Sequence, residues 1–252
     1  MAAVAVHVGS RAGDEAVTER HWALLDAGER ALAARYRTAI DRARFIDRRG
    51  ARRLLLAAHL NADPQAIRFI EGANGKPALA DGTVEFSCSH AGDDWMLAIA
   101  DVALGCDLAR FDPAFRWRDV VDAFFAQRER AALNALPPEE AATTFLEMWA
   151  RKEALVKALG HGLSFPLDAF VVMDGAGAPY QAGVAGYQAM SFWPSASLCA
   201  AVVTRSPTPP LCRIVGQGAA APAIAPLPVR HQSAQRLRRV LAFANRAQPG
   251  TN

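Results

Sequence analysis

The 252 residues are 52% hydrophobic and 21% charged, with 28 Lys and Arg against 25 Asp and Glu. That balance excludes a disordered chain and leaves ample apolar material for one large core or two small ones. No stretch approaches the roughly eighteen uninterrupted apolar residues a spanning helix needs, so no membrane insertion is expected. Met1–Ser10 lacks a basic segment followed by a long apolar one, and Cys88, Cys106, Cys199 and Cys212 form no C-x-x-C pair. A cytoplasmic chain with reduced thiols is the expectation.

In chain order, Val4–Val8 alternates as a short strand. Asp41 is placed to cap a helix that runs to Leu60, with Phe45, Ile46, Leu54, Leu55, Leu56 and Leu60 apolar and Asn61 following. Strands are predicted at 67–70, 84–87, 95–101 and 104–108. A turn at Gly72–Pro77 (GANGKP) and a connection at Ser89–Gly92 lie between them. Pro137 and Pro138 open the strongest helix, Glu139–Leu159, which Gly160 stops. Strands follow at 170–173, 191–193 and 198–203.

A long helix followed by strands thus occurs twice, with no repetition of residues. The fold class expected is α+β, two similar halves packed face to face. The halves are residues 1–103 and 104–205. After Thr204 the chain turns Pro- and Ala-rich and reads as an extended linker, so 206–252 is expected to be a basic tail with a short helix at Gln235–Asn245.

Charge is unevenly spread. From Thr204 to Asn252 there are seven arginines and no acid, which leaves 21 basic against 25 acidic residues, or −4, before it. Arg42, Arg44, Arg48, Arg49, Arg52 and Arg53 form a second cluster, which is either a solvated helix face or a site for a phosphate-rich partner. The tail has a single aromatic, Phe243, so a base-stacking platform is missing and nucleic acid is not expected.

Chemistry concentrates in Trp149-Ala-Arg-Lys152-Glu153-Ala-Leu-Val-Lys157, where Trp149, Glu153 and Lys157 share one helix face. Asp107, in Gly105-Cys-Asp-Leu-Ala109, is a carboxylate among apolar residues, and such a group has a partner or a metal. Two carboxylates with a nearby lysine suit Mg²⁺ holding a substrate phosphate. Gly75-Lys76-Pro77 is not a phosphate-binding Walker loop, because Ile70 stands where its first Gly belongs and Pro77 replaces its Ser or Thr. Ser89 and His90, adjacent on a strand, face opposite sides and do not form a nucleophile–base dyad. His90 reads as a donor to a ligand or as a satisfied core histidine.

Gly75-Lys76-Pro77, Phe86–His90, Gly105-Cys-Asp107 and the W-x-x-K-E-A-x-x-K run, in that order and spacing, resemble the 4′-phosphopantetheinyl transferases, in particular the larger single-chain branch. The resemblance covers roughly 35–205, and it implies that the two halves form a pseudo-dimer with the active site in the cleft between them. It implies transfer of the phosphopantetheine arm of coenzyme A to a serine of an apo acyl- or peptidyl-carrier protein, with release of adenosine 3′,5′-bisphosphate. It further implies that Asp107 and Glu153 hold Mg²⁺ and that Lys157 neutralises the diphosphate. Glu153 or a metal-bound water would take the serine proton. Lys76, Pro77, Ser89, His90 and Arg49 would bind the nucleotide end, and Lys152 would contact phosphate or pair on the helix surface. Apolar residues near Val120–Phe125 would meet the carrier, and a monomer would suffice. Ala109 stands where relatives often carry a second acid, and Ser87-Cys88 replaces an asparagine before the Ser-His pair. Ala109 keeps an alternative open: a coenzyme A-binding protein with lost or weakened transferase activity.

Overall fold

A computed structural model describes residues 3–216 apart from 12, 73, 113, 163–164, 173–183, 185 and 208–209. Its first strand, β1 (Ala3–Ser10), is followed by α1 (Glu15–Leu24) and α2 (Ala27–Ala33). Asp14 caps α1 by accepting from the Ala16 amide at 2.9 Å, and Asp26 with Glu29 forms a capping box on α2. The long α3 (Ala39–Leu60) ends at Asn61 in the left-handed region, φ 51°. Its cap is Thr38, not Asp41 as the sequence suggested; Asp41 sits in the first turn and accepts the Thr38 hydroxyl at 2.7 Å.

The short pair β2 (Phe69–Glu71) and β3 (Pro77–Leu79) flanks the GANGKP turn. Then come β4 (Glu85–Ala91), β5 (Asp94–Ala100) and β6 (Leu104–Arg110). Ser89–Ala91, read as a connection, continue β4, and the turn is confined to the residues beyond them, with Gly92 at φ 65°. The helices α4 (Trp117–Phe124) and α5 (Gln127–Asn134) precede α6 (Pro138–Leu159), which starts on proline and stops at Gly160, φ 70°. The chain continues with β7 (Tyr187–Ser195), β8 (Leu198–Arg205) and β9 (Leu211–Gly216).

Two sheets dominate this α+β fold. One has the order β4-β5-β1-β9, with β1 antiparallel to β5 and parallel to β9; the other is antiparallel, β6-β8-β7. Their strands alternate between two burials, as the pleat requires. Leu97 and Ile99 of β5 pack with Leu56 of α3, whereas Met96 and Ala98 join Ala200 and Val202 of β8 in the layer between the sheets. On the far side, Cys199, Ala201 and Val203 meet α6. The stacking is therefore helix, sheet, sheet, helix, and strands covered on both faces read as continuous apolar runs.

β9 corrects the linker reading. Residues 211–216 form a sheet strand because the edge of β1 offers them a backbone ladder, a partner about two hundred residues distant in sequence. Phe170–Val172 form no strand; Met173 and Gln235–Asn245 lie outside the described residues. Among the described residues, no helix is long and apolar enough to cross a membrane.

Candidate active site

Gly105 sets the site's depth. A Cβ there would stand 1.9 Å from the Ala154 carbonyl oxygen and 2.4 Å from the Ala158 amide nitrogen, so glycine is what lets β6 lie against α6. Two residues on, the pleat turns Asp107 to the same side, and Lys157 Nζ donates to its Oδ1 at 2.7 Å. Ser89 Oγ donates to the same oxygen at 2.7 Å, and Lys157 also reaches Ser89 Oγ at 3.1 Å. Ser87, the next residue of β4 on that face, accepts from the Cys106 amide at 3.0 Å and locks β4 to β6.

One turn before Lys157, Glu153 faces the same hollow as Asp107. Burial, reinforced by the Asp107 charge and opposed by Lys157, raises its carboxyl above the usual range. For Lys157, burial disfavours the ammonium, but the charge and hydrogen bond of Asp107 outweigh it and the pKa is raised. The site therefore holds a firm cation beside two carboxylates that repel each other.

Three hollows meet there. The first, about 220 Å³, is walled by Arg48, Arg49 and Arg52 of α3 with Tyr36, Phe45 and His90. His90 lies on the β4 face opposite to Ser89, and burial together with Arg48 and Lys157 lowers its pKa, leaving the ring neutral at pH 7. Arg52 stacks 3.7 Å from the Phe69 ring centroid and donates to Glu29 at 2.8 Å; burial brings its pKa down to about 10, so it stays charged. The second hollow, about 230 Å³, lies among Lys76, Pro77, Lys157 and Gly160. Asn74 Nδ2 donates to the Gly160 carbonyl at 2.7 Å and ties the glycine-rich turn to the end of α6. Lys76 Nζ donates to the Leu104 carbonyl at 2.9 Å. The third is an aromatic cleft of about 920 Å³ between Trp149, Phe145 and Phe124 on one side and Phe165 and Leu167 on the other, with Asp107, Ala109 and Glu153 at its edge.

Of the residues singled out from sequence, Asp107, Ser89 and Lys157 touch directly, and Glu153 shares their hollow. Lys76 and Pro77 line the neighbouring one; His90 and Arg49 line the arginine hollow. Lys152 contradicts its reading as a phosphate or surface residue: it is fully buried and pairs with Glu129 at 2.7 Å, because its position on α6 turns it away from the Glu153 face. Arg48 and Arg52, named in the sequence only as members of the arginine cluster with its two readings, line the arginine hollow beside Arg49, and their i, i+4 spacing was the signal that could have set them apart. Of the aromatic wall, Trp149 and the Val120–Phe125 run that holds Phe124 were named in the sequence, but Phe145, Phe165 and Leu167 were not.

The four cysteines are free. Among the described residues, no group of three or more His, Cys, Asp or Glu is placed to hold a metal; Asp107 and Glu153, which line one hollow, are the pair that could hold one. Two hard oxygen ligands in a hollow open to phosphate and water fit Mg²⁺, which takes one or two carboxylates and completes its octahedron elsewhere. They would not enclose a structural zinc.

Residues 103–203 match the model of the 4′-phosphopantetheinyl transferase superfamily. A Synechocystis sp. protein with the provisional name 4′-phosphopantetheinyl transferase slr0495 is 33% identical over 172 residues, which is 67% of this chain and 70% of that one. A 4′-phosphopantetheinyl transferase of Bacillus subtilis is 31% identical over 164 residues, 64% of this chain and 70% of that one. The Escherichia coli K12 enzyme AcpT is 38% identical over 112 residues, 44% of this chain and 56% of its own.

Proposed function

The chain belongs to the 4′-phosphopantetheinyl transferase superfamily, and on that premise we propose that it moves the 4′-phosphopantetheine arm of coenzyme A onto a serine of an apo acyl- or peptidyl-carrier protein. The observation that carries the reading is the contact of Lys157, Ser89 and Asp107 with Glu153 one turn away, set between an arginine-lined hollow and an aromatic cleft. The serine oxygen forms a bond to the phosphorus that bears the arm. The anhydride bond to the adenosine side breaks, and adenosine 3′,5′-bisphosphate leaves.

Each residue has a part in that displacement. Arg48, Arg49 and Arg52 supply charge-assisted donors for the phosphate-bearing nucleotide end, and neutral His90 offers an N–H beside them. Lys157 neutralises the diphosphate, where negative charge accumulates on the leaving oxygen. Glu153, whose carboxyl is raised above its usual range by burial and by Asp107, can take the serine proton. Bound between Asp107 and Glu153, Mg²⁺ would supply Lewis-acid stabilisation of the phosphate charge. Ala109 leaves the protein contribution to that metal at two carboxylates, which is compatible with turnover at weakened metal affinity.

The test is to incubate the protein with coenzyme A, Mg²⁺ and an apo carrier protein and weigh the carrier. A gain of one phosphopantetheine group per carrier, absent when the carrier serine is replaced by alanine, is the expected result. Unchanged mass across several carriers, with coenzyme A still bound, would favour the coenzyme A-binding reading that Ala109 motivates.

A further inference from the structure

Arg151 and Lys152, inside the catalytic motif, take no part in the chemistry above. Lys152 is fully buried. Its Nζ donates to the Leu167 carbonyl at 2.6 Å and the Phe170 carbonyl at 2.9 Å, and pairs with Glu129 Oε2 at 2.7 Å. Glu129, equally buried, accepts from the Val172 amide at 2.9 Å and the Ala126 amide at 3.1 Å. The Phe170 ring lies 4.3 Å from the ammonium. Arg151 adds a donor to the Val172 carbonyl at 3.3 Å. One turn of α6 thus grips the described residues between 165 and 172, whose only regular element is a single 3-10 turn, Leu167–Ala169.

Among the described residues, that segment has few backbone partners of its own, and the buried ion pair supplies others. A buried pair of this kind is poor value for stability, since well-packed apolar residues commonly serve as well or better. Its consequence here is geometric. Phe165, Pro166, Leu167 and Asp168 line the aromatic cleft together with Phe124 and Trp149. Given the transfer reading above, the leaving nucleotide occupies the arginine hollow. An in-line displacement then brings the acceptor oxygen from the opposite side of the phosphorus, which is the side of the aromatic cleft.

We propose that Lys152 and Glu129 are positioning residues for the acceptor: they hold residues 165–172 as a wall of the aromatic cleft and so set how the serine-bearing segment of the carrier protein enters, without touching the coenzyme A phosphates. Removing one partner would strand a buried charge, so the informative variant is the neutral pair Lys152→Met/Glu129→Gln. Its KM for the carrier should rise about tenfold while its calorimetric Kd for coenzyme A stays within about twofold, and Phe165→Ala, in the wall itself, should reproduce that split. Lys157→Ala, by contrast, should lose coenzyme A affinity. Amide hydrogen exchange over 167–172 should accelerate in the neutral pair and stay unchanged over 104–110.

The proposal is overturned if the neutral pair loses coenzyme A affinity as Lys157→Ala does. It is also overturned if exchange over 167–172 and the carrier KM both stay at wild-type values. Should the neutral pair fail to fold, an unchanged carrier KM in Phe165→Ala overturns it as well. The exchange measurement needs no turnover. Wild-type protein inert toward every carrier would defeat the transfer reading, and the exchange result would still judge the ion pair.

Discussion

At Asp107 one carboxylate oxygen serves two donors, the Ser89 hydroxyl and the Lys157 ammonium, both at 2.7 Å. Buried polar groups need such partners, and here the partners are also the groups a phosphate would meet. His90 gives a pH test of the same environment. Burial, Arg48 and Lys157 disfavour its cation, and Asp107 only partly opposes them, so the folded pKa lies below 6.5. The unfolded chain then binds this proton more readily, and acidification through that range draws on stability. An NMR titration of the free protein should place the His90 midpoint below 6.5; a midpoint at or above it would mean that the ring is paired with an acid.

Among the elements, α6 carries both Glu153 and Lys157. Its period, its opening prolines and Gly160 were legible in the sequence, and so was the shared face of Trp149, Glu153 and Lys157, because these are local properties of one helix. The role of Lys152 was not legible, since its partner Glu129 belongs to α5 and its carbonyl acceptors to the segment after α6. Likewise α1 and α2 escaped notice: α1 buries no residue fully, so it carries little apolar signal. The approach of α6 to β6 yields a stability prediction. In Gly105→Ala the new Cβ meets helix backbone, which cannot swing aside as a side chain would. The helix must shift, and the expected loss is about 3 kcal/mol, at the upper end for overpacking. Denaturant unfolding with a loss below about 1 kcal/mol would show that the two elements are less tightly apposed.

The described residues form a four-layer stack whose outer helices each present charged residues to the adjoining hollows of the site. α3 brings the arginines and α6 the Glu153–Lys157 face, while β4 and β6 hold Ser89 and Asp107 between them. The two-sheet stack was legible only as element order, and β9 not at all, because its partner β1 stands at the other end of the described chain. Consequently the tail cannot be cut freely at residue 206. A chain ending there loses the β1–β9 ladder and should melt roughly 5–10 °C lower, a few hydrogen bonds' worth in a protein of this size. An unchanged melting temperature would show that β9 contributes no net stability.

Glu153→Gln tests transfer through Glu153 directly, with shape preserved and one charge removed. The measurement is the rate at which an apo carrier gains one phosphopantetheine group from coenzyme A, for the wild-type chain and the variant side by side, with folding checked by thermal melting. Steady modification by the wild type is expected, with a loss of about a thousandfold in the variant, on the order of 4 kcal/mol at the transition state. A variant that retains activity within about tenfold of wild type, near 1.4 kcal/mol, would remove Glu153 from the reaction.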